Sequence, residues 1–153
     1  MNDVVSGVAG RIEQNGRGSK AKIQTDLGNI PTVLADRVQI EKVVGNLLLN
    51  AFEALDNGGL ITIKTESRED KVILSVSDNG RGMAPEFVEK ALFKPFKSTK
   101  KKGLGIGLYQ CRTIVEAHQG RIEVESKEGK GSTFRVILPA VKKAVDQWLK
   151  KDR

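Results

Sequence analysis

Two glycine-rich stretches, DNGRGM at Asp78–Met83 and GLGIGL at Gly103–Leu108, flank a lysine-rich segment in the middle of the chain. No apolar period runs through Lys97–Gly103, so that part reads as a mobile loop, and sheet and helices must be found on either side of it. Glycine permits positive φ and lets a backbone approach a ligand closely. Lysine offers phosphate a mobile point charge. Upstream, Asn46 and Asn50 offer a hard cation neutral amide oxygens. In this order the residues read as a site for a nucleoside triphosphate and its Mg²⁺. The dinucleotide-binding fold would need a strand immediately before GLGIGL, where a lysine loop stands, and the Walker A order of glycines followed by Gly-Lys-Ser/Thr is absent.

The elements around this core can be read from period. Residues 1–18 are small, polar and glycine-bearing, which suggests a connector or a frayed helix. Ala21–Asp26 and Thr32–Ala35 have short-strand character. Asp36 followed by Gln39 resembles a helix-capping pair, and a helix runs from there to about Asp56, closed by Asn57-Gly58-Gly59. At 100° per residue, Ile40, Val43, Val44, Leu47, Leu48, Ala51, Ala54 and Leu55 form its apolar arc. Asn46, Asn50 and Glu53 border that arc, and Asn50 falls within about 20° of Val43, so it should be half-buried. Leu60–Glu66 and Lys71–Ser77 alternate as a hairpin closed by Ser67-Arg68-Glu69-Asp70. The second of these strands delivers Asp78 to its end, where a fixed carboxylate can accept from an exocyclic amine such as that of adenine, with Gly80 and Gly82 leaving room for a flat base. A short helix over Pro85–Leu92, a helix from Leu104, and a last strand pair, Arg121–Ser126 and Thr133–Leu138, complete the pattern. The glycines thus precede a helix N-terminus, which attracts anions. Val141, Val145, Trp148 and Leu149 recur at helical spacing in an amphipathic tail over 141–153.

Charge excludes the obvious alternative. The net charge of +7 suggests nucleic acid. Yet Lys94, Lys97, Lys100, Lys101 and Lys102 supply most of the excess, and one Tyr and one Trp give no aromatic interleaving for base stacking. No apolar run approaches the ~20 residues of a membrane helix. The single Cys111 lies in an apolar helical stretch and reads as a packing residue in a reducing, cytoplasmic compartment. The opening residues read as the interior of a longer chain.

The succession NLLLNAFEA, DNGRGM, LFKPFKSTK, GLGIGL and GSTFRVILP resembles the ATP-binding catalytic domain of sensor histidine kinases, in the GHKL or Bergerat-fold superfamily. It is most similar to the short-lid subgroup with a Pro-Phe-x-Ser-Thr-Lys segment. The resemblance covers Val33 to Pro139. It implies a two-layer α/β sandwich, with a mixed, mostly antiparallel sheet covered on one face by three helices over residues 19–140. It further implies that Asn50 holds Mg²⁺, that Asn46 lies near the phosphates, and that Asp78 reads the adenine amine between Gly80 and Gly82, with Met83 beside them. Phe93 and Phe96 match the root of the ATP lid. Lys97 or Lys100 supplies the lid cation, with Ser98 and Thr99 between them. Gly103, Leu104, Gly105, Ile106, Gly107 and Leu108 match the phosphate-facing glycine box, and Glu53 and Thr133 complete the set. Asn46, Asn50, Lys97 and Lys100 are the implied catalytic residues.

The departures carry information. Many members have Thr where Leu104 stands, and some have Lys where Glu53 stands, so charge compensation shifts to the lid lysines. His118, the only histidine, ends a helix in VEAHQGRIEV and does not lie in a helical-hairpin acceptor motif. The chain therefore reads as a catalytic fragment. Its partner would be the parent's dimeric phosphoacceptor hairpin, with a response regulator downstream and membrane anchoring possible only in the parent. The alternatives are an ATPase or serine kinase of the same fold, and an interaction module that has lost ATP.

Overall fold

The computed structural model describes residues 1–15, 20–95, 106–141 and 148–151. The chain runs α1 (Asn2–Asn15), β1 (Ala21–Leu27), α2 (Arg37–Ala54), β2 (Gly59–Arg68), β3 (Lys71–Asp78), α3 (Pro85–Lys90), α4 (Gly107–Ala117), β4 (Arg121–Lys127) and β5 (Gly131–Pro139). The strands form one sheet in the order β1-β2-β3-β5-β4, with β1 parallel to β2 and every other pair antiparallel. This is the expected mixed, mostly antiparallel sandwich.

Alternation decides which face is covered. Val72, Leu74 and Val76 of β3 point to the same side as Ile61 and Ile63 of β2 and Phe134, Val136 and Leu138 of β5, and all are buried. Against them lie Val4, Val5, Val8 and Ala9 of α1, Ile40, Val43, Val44, Leu47, Leu48 and Ala51 of α2, and Cys111 and Val115 of α4. One face of the sheet is thus roofed by three helices around a single core, the arrangement a one-sided apolar sheet requires. The start of α2 is fixed as expected. Asp36 is extended and its Oδ1 accepts from the Gln39 amide at 3.1 Å, satisfying an orphan donor of the first turn.

The structure departs from expectation in four places. Asn2–Asn15 is not a connector set apart from the domain but a helix with four buried residues in the common core. It is also latched by polar contacts: the buried Thr65 hydroxyl donates to Asn2 Oδ1 at 2.8 Å and accepts from the Gly28 amide at 3.0 Å, while Asn2 Nδ2 donates to the Gly28 carbonyl at 2.8 Å. A buried hydroxyl without partners would cost about 1–3 kcal/mol, so this cluster favours the docked position of α1. Thr32–Ala35 forms no strand; the Thr32 carbonyl instead accepts from the Val141 amide at 2.9 Å. The helix expected from Leu104 is described from Gly107. The hairpin turn is tighter than its polar run suggested: Arg68 pairs with Lys71, leaving Glu69 and Asp70 to turn the chain, with Glu69 at φ 56°.

Candidate nucleotide site

The site assembles where β3, α2 and α4 end near one another. Asp78 is in phase with Val72, Leu74 and Val76, so strand alternation carries a carboxylate to the helix-covered face, where it is 8% exposed. Its Oδ1 accepts from the Gly80 amide at 2.9 Å. Burial pushes the Asp78 carboxyl above the ordinary carboxylate range, opposed by the Gly80 and Ser132 amides and by the positive charge of Arg81.

The loop after Asp78 is clamped on both sides. At Gly80 a Cβ would overlap the Ala54 carbonyl oxygen, so only glycine lets the loop close on the end of α2. Arg81 completes that contact. Its amide donates to the Ala54 carbonyl at 3.0 Å, and its Nη1 reaches the Glu53 carbonyl at 3.2 Å and Asp56 Oδ1 at 3.4 Å. Gly82 has φ +68° and lies against the Lys127 carbonyl. The Gly129 amide donates to the Arg81 carbonyl at 2.7 Å, and the Met83 amide donates to Ser126 Oγ at 2.9 Å. Gly82→Ala should therefore destabilise the domain by about 3 kcal/mol, from positive φ together with the overlap; urea unfolding measures it.

The two asparagines sit one turn apart on α2, both half-buried, as expected of Asn50. Asn46 Nδ2 donates to the Gly107 carbonyl at 3.4 Å, joining α2 to the first residue of α4. Ile106, the N-cap of α4, offers no side-chain hydrogen bond, so the N-cap residue itself leaves the first-turn amides unanswered. This is an anion-ready helix terminus with a neutral amide beside it. Cys111, fully buried, is pushed up to about 12 by burial, with a hydrogen bond from Asn46 acting the other way. It is a packing residue and not a nucleophile.

Phe93, half-buried, packs on the core with the Arg112 guanidinium 5.7 Å from its ring centroid. Ile106 and Leu108 are half-buried next to Gly107. Glu53 is exposed, and its backbone carbonyl, through Arg81, helps to fix the loop. Phe96, Lys97, Ser98, Thr99, Lys100, Gly103, Leu104 and Gly105 lie outside the described residues.

Thr133 pairs with Ser77, and its hydroxyl bonds the Ser77 hydroxyl at 2.9 Å on the face away from Asp78. The residue opposite Asp78 is Ser132, 6% exposed, whose hydroxyl meets Ser126 Oγ at 2.8 Å. Ser132 shares phase with Phe134, Val136 and Leu138, and that parity was visible in the sequence. Arg81 and Ser126, which fix the loop, carried no such signal. Among the described residues no cluster of three or more His, Cys, Asp or Glu could hold a metal, and no helix is long and apolar enough to cross a membrane.

Known proteins share this sequence and geometry. The chain is 35% identical over 148 residues to sensor histidine kinase ZraS of Salmonella typhi, covering 95% of this chain and 32% of that protein. It is 36% identical over 141 residues to sporulation kinase C of Bacillus subtilis, covering 91% of this chain and 33% of that one. The chain thus spans about a third of the length of these relatives. The solved catalytic domain of histidine kinase ThkA superposes with a TM-score of 0.81 at 35% identity, covering 91% of each chain. Residues 35–142 match the model described as histidine kinase-, DNA gyrase B-, and HSP90-like ATPase. With Asp78, Asn46 and the start of α4 all inside that span, the chain belongs to this ATPase family as a catalytic, ATP-binding domain of the sensor histidine kinase kind.

Proposed function

We propose that this chain binds ATP with Mg²⁺ and transfers the γ-phosphoryl group to a histidine on a separate helical hairpin of a dimeric parent kinase, from which a response regulator would draw it. One observation carries the reading: the Asn46 amide meets the uncapped start of α4 at Gly107, on the same helix layer that buries Asp78. A base reader and a phosphate cradle then lie on one connected scaffold.

Each residue would have a distinct task. Asp78 accepts from the exocyclic amine of adenine, and Gly80 and Gly82 leave backbone beside the ring. The first amides of α4 hold phosphate oxygens through direct hydrogen bonds and the helix dipole. Asn46 is oriented by Gly107 and Cys111. Asn50 would hold Mg²⁺, which fits its chemistry: Mg²⁺ on a nucleotide takes one or two protein oxygens and fills the rest with phosphate and water. The metal supplies charge neutralisation when bound. Lys97 and Lys100 would add positive charge, and Ser98, Thr99 and the 103–105 glycine stretch belong to the same proposed set. Phosphoryl transfer asks mainly for positioning and neutralisation of charge, and this set provides both.

The second reading, hydrolysis or transfer to serine, is disfavoured by Asn46 itself. An amide cannot take a proton from water or an alcohol, whereas an imidazole attacks through a lone pair without needing a base there. Incubated alone with γ-labelled ATP, the chain should stay unlabelled. With the parent's hairpin added, acid-labile, base-stable label should appear on the hairpin and none on His118. Acid-stable label, or label on His118, would overturn the reading.

A further inference from the structure

Among the polar contacts between α2 and α4 and their caps in the described residues, three fall in one antiparallel register. At the site end Asn46 Nδ2 donates to the Gly107 carbonyl at 3.4 Å. In the middle Cys111 Sγ donates to the Val43 carbonyl at 3.8 Å. At the far end the Asp36 amide donates to His118 Nε2 at 3.1 Å. His118 Nδ1 lies 2.7 Å from the Ile114 carbonyl. Because Nε2 accepts from an N–H, the ring proton sits on Nδ1 and is donated to Ile114. The imidazole thus closes the C-terminal turn of its own helix and ties that turn to the N-cap of α2, whose side chain is already engaged with Gln39.

α4 is short, about 16 Å at 1.5 Å per residue, and stiff on that scale. A rod held at its far end by the Asp36 amide and at its middle by the Val43 carbonyl has the direction of its near end set, and the near end is Gly107. We propose that His118 is a positioning residue of the nucleotide site: by pinning the end of α4 to the start of α2, it sets the placement of the first amides of α4 against Asn46, and hence the grip on phosphate. It touches neither nucleotide nor metal. The adenine reader Asp78 sits on β3, clamped by Ala54, Arg81 and the β4–β5 turn, and does not depend on this pin.

The proposal rests on the nucleotide reading above, and its test separates the two. His118→Phe keeps a ring of similar size and removes both hydrogen bonds; His118→Gln keeps an acceptor and a donor. Calorimetry with ATP and with adenosine on the folded chain measures the ratio of the two affinities, which a loss of general stability would not change. We expect His118→Phe to weaken ATP about fivefold, the value of one hydrogen bond of ~1 kcal/mol, with adenosine within twofold and His118→Gln restoring most of the loss. Equal ratios in all three chains, a parallel fall for adenosine, or a glutamine chain no better than the phenylalanine one would overturn it. So would failure of both His118→Phe and His118→Ala to fold, since the contact would then carry the fold and not the placement. A wild-type chain that binds neither ligand would instead overturn the nucleotide reading itself.

Discussion

Asp78→Asn should weaken ATP and ADP binding about 100-fold, because a buried charged acceptor is exchanged for an amide that faces the adenine amine with mixed donor and acceptor atoms. The same change should leave the empty domain at least as stable as the wild type. Burial raises the folded-state pKa of Asp78 above its unfolded value. Such a group contributes stability that is fully present below the unfolded carboxylate pKa and lost as pH rises through the folded value. Above the folded value the ionised carboxylate is therefore a net cost to the empty fold. Asparagine removes the charge and keeps an oxygen for the Gly80 amide. The melting temperature of the ligand-free Asp78→Asn chain should equal or exceed that of the wild type at pH 7, and the gap should narrow as pH falls toward the carboxylate range. A lower melting temperature at pH 7 would mean that the carboxylate is held for the fold and not for the base. The carboxylate thus belongs with functional groups whose strain the surrounding structure tolerates.

The second large effect concerns Asn50. Asn50→Ala should cut phosphoryl transfer to the hairpin by about 100- to 1,000-fold, the scale seen when one preorganised electrostatic contact is removed. Adenosine affinity should stay within about twofold, since a lost contact elsewhere need not touch the base. The Mg²⁺ dependence of ADP binding, measured by titration with and without a chelator, should largely vanish. If adenosine affinity collapses as well, Asn50 is holding the end of α2 together and the metal assignment fails. The half-buried position of Asn50 on α2, one turn beyond Asn46, is what makes the two outcomes separable.

Much of this was legible from period alone. The alternation of Val72, Leu74 and Val76 predicted the strand that ends on Asp78, and the same parity, not used in that reading, carries Asp78 to the covered face. The apolar arc of α2 likewise predicted its six buried residues. Where the reading failed, tertiary context overrode local signal. α1 carries Gly7 and Gly10 and β-branched Val4, Val5, Val8 and Ile12, all weak helix formers, so its helicity depends on docking against α2 and on the Thr65 cluster, neither visible locally. Thr32–Ala35 has strand-like residues but no strand to pair with, and Val141, far away in sequence, takes the Thr32 carbonyl. The contacts that fix the site loop, from Arg81 to Ala54 and from Met83 to Ser126, join segments that sequence order does not bring together.

The sheet order gives Asp78 one more role, in time as well as in space. β2–β3 and β4–β5 are local hairpins, whereas β3 and β5 meet only after the whole nucleotide-binding excursion between them has been closed. Closing that long excursion carries the larger entropic cost, so the β3–β5 seam is expected to zip late. Asp78 and Ser132 face each other at one end of this seam. A nucleotide seated on Asp78, as proposed, would hold a late-forming pairing, and contacts absent from the transition state act on escape and not on arrival. Bound ATP should lengthen the lifetime of the native domain while leaving its folding rate nearly unchanged.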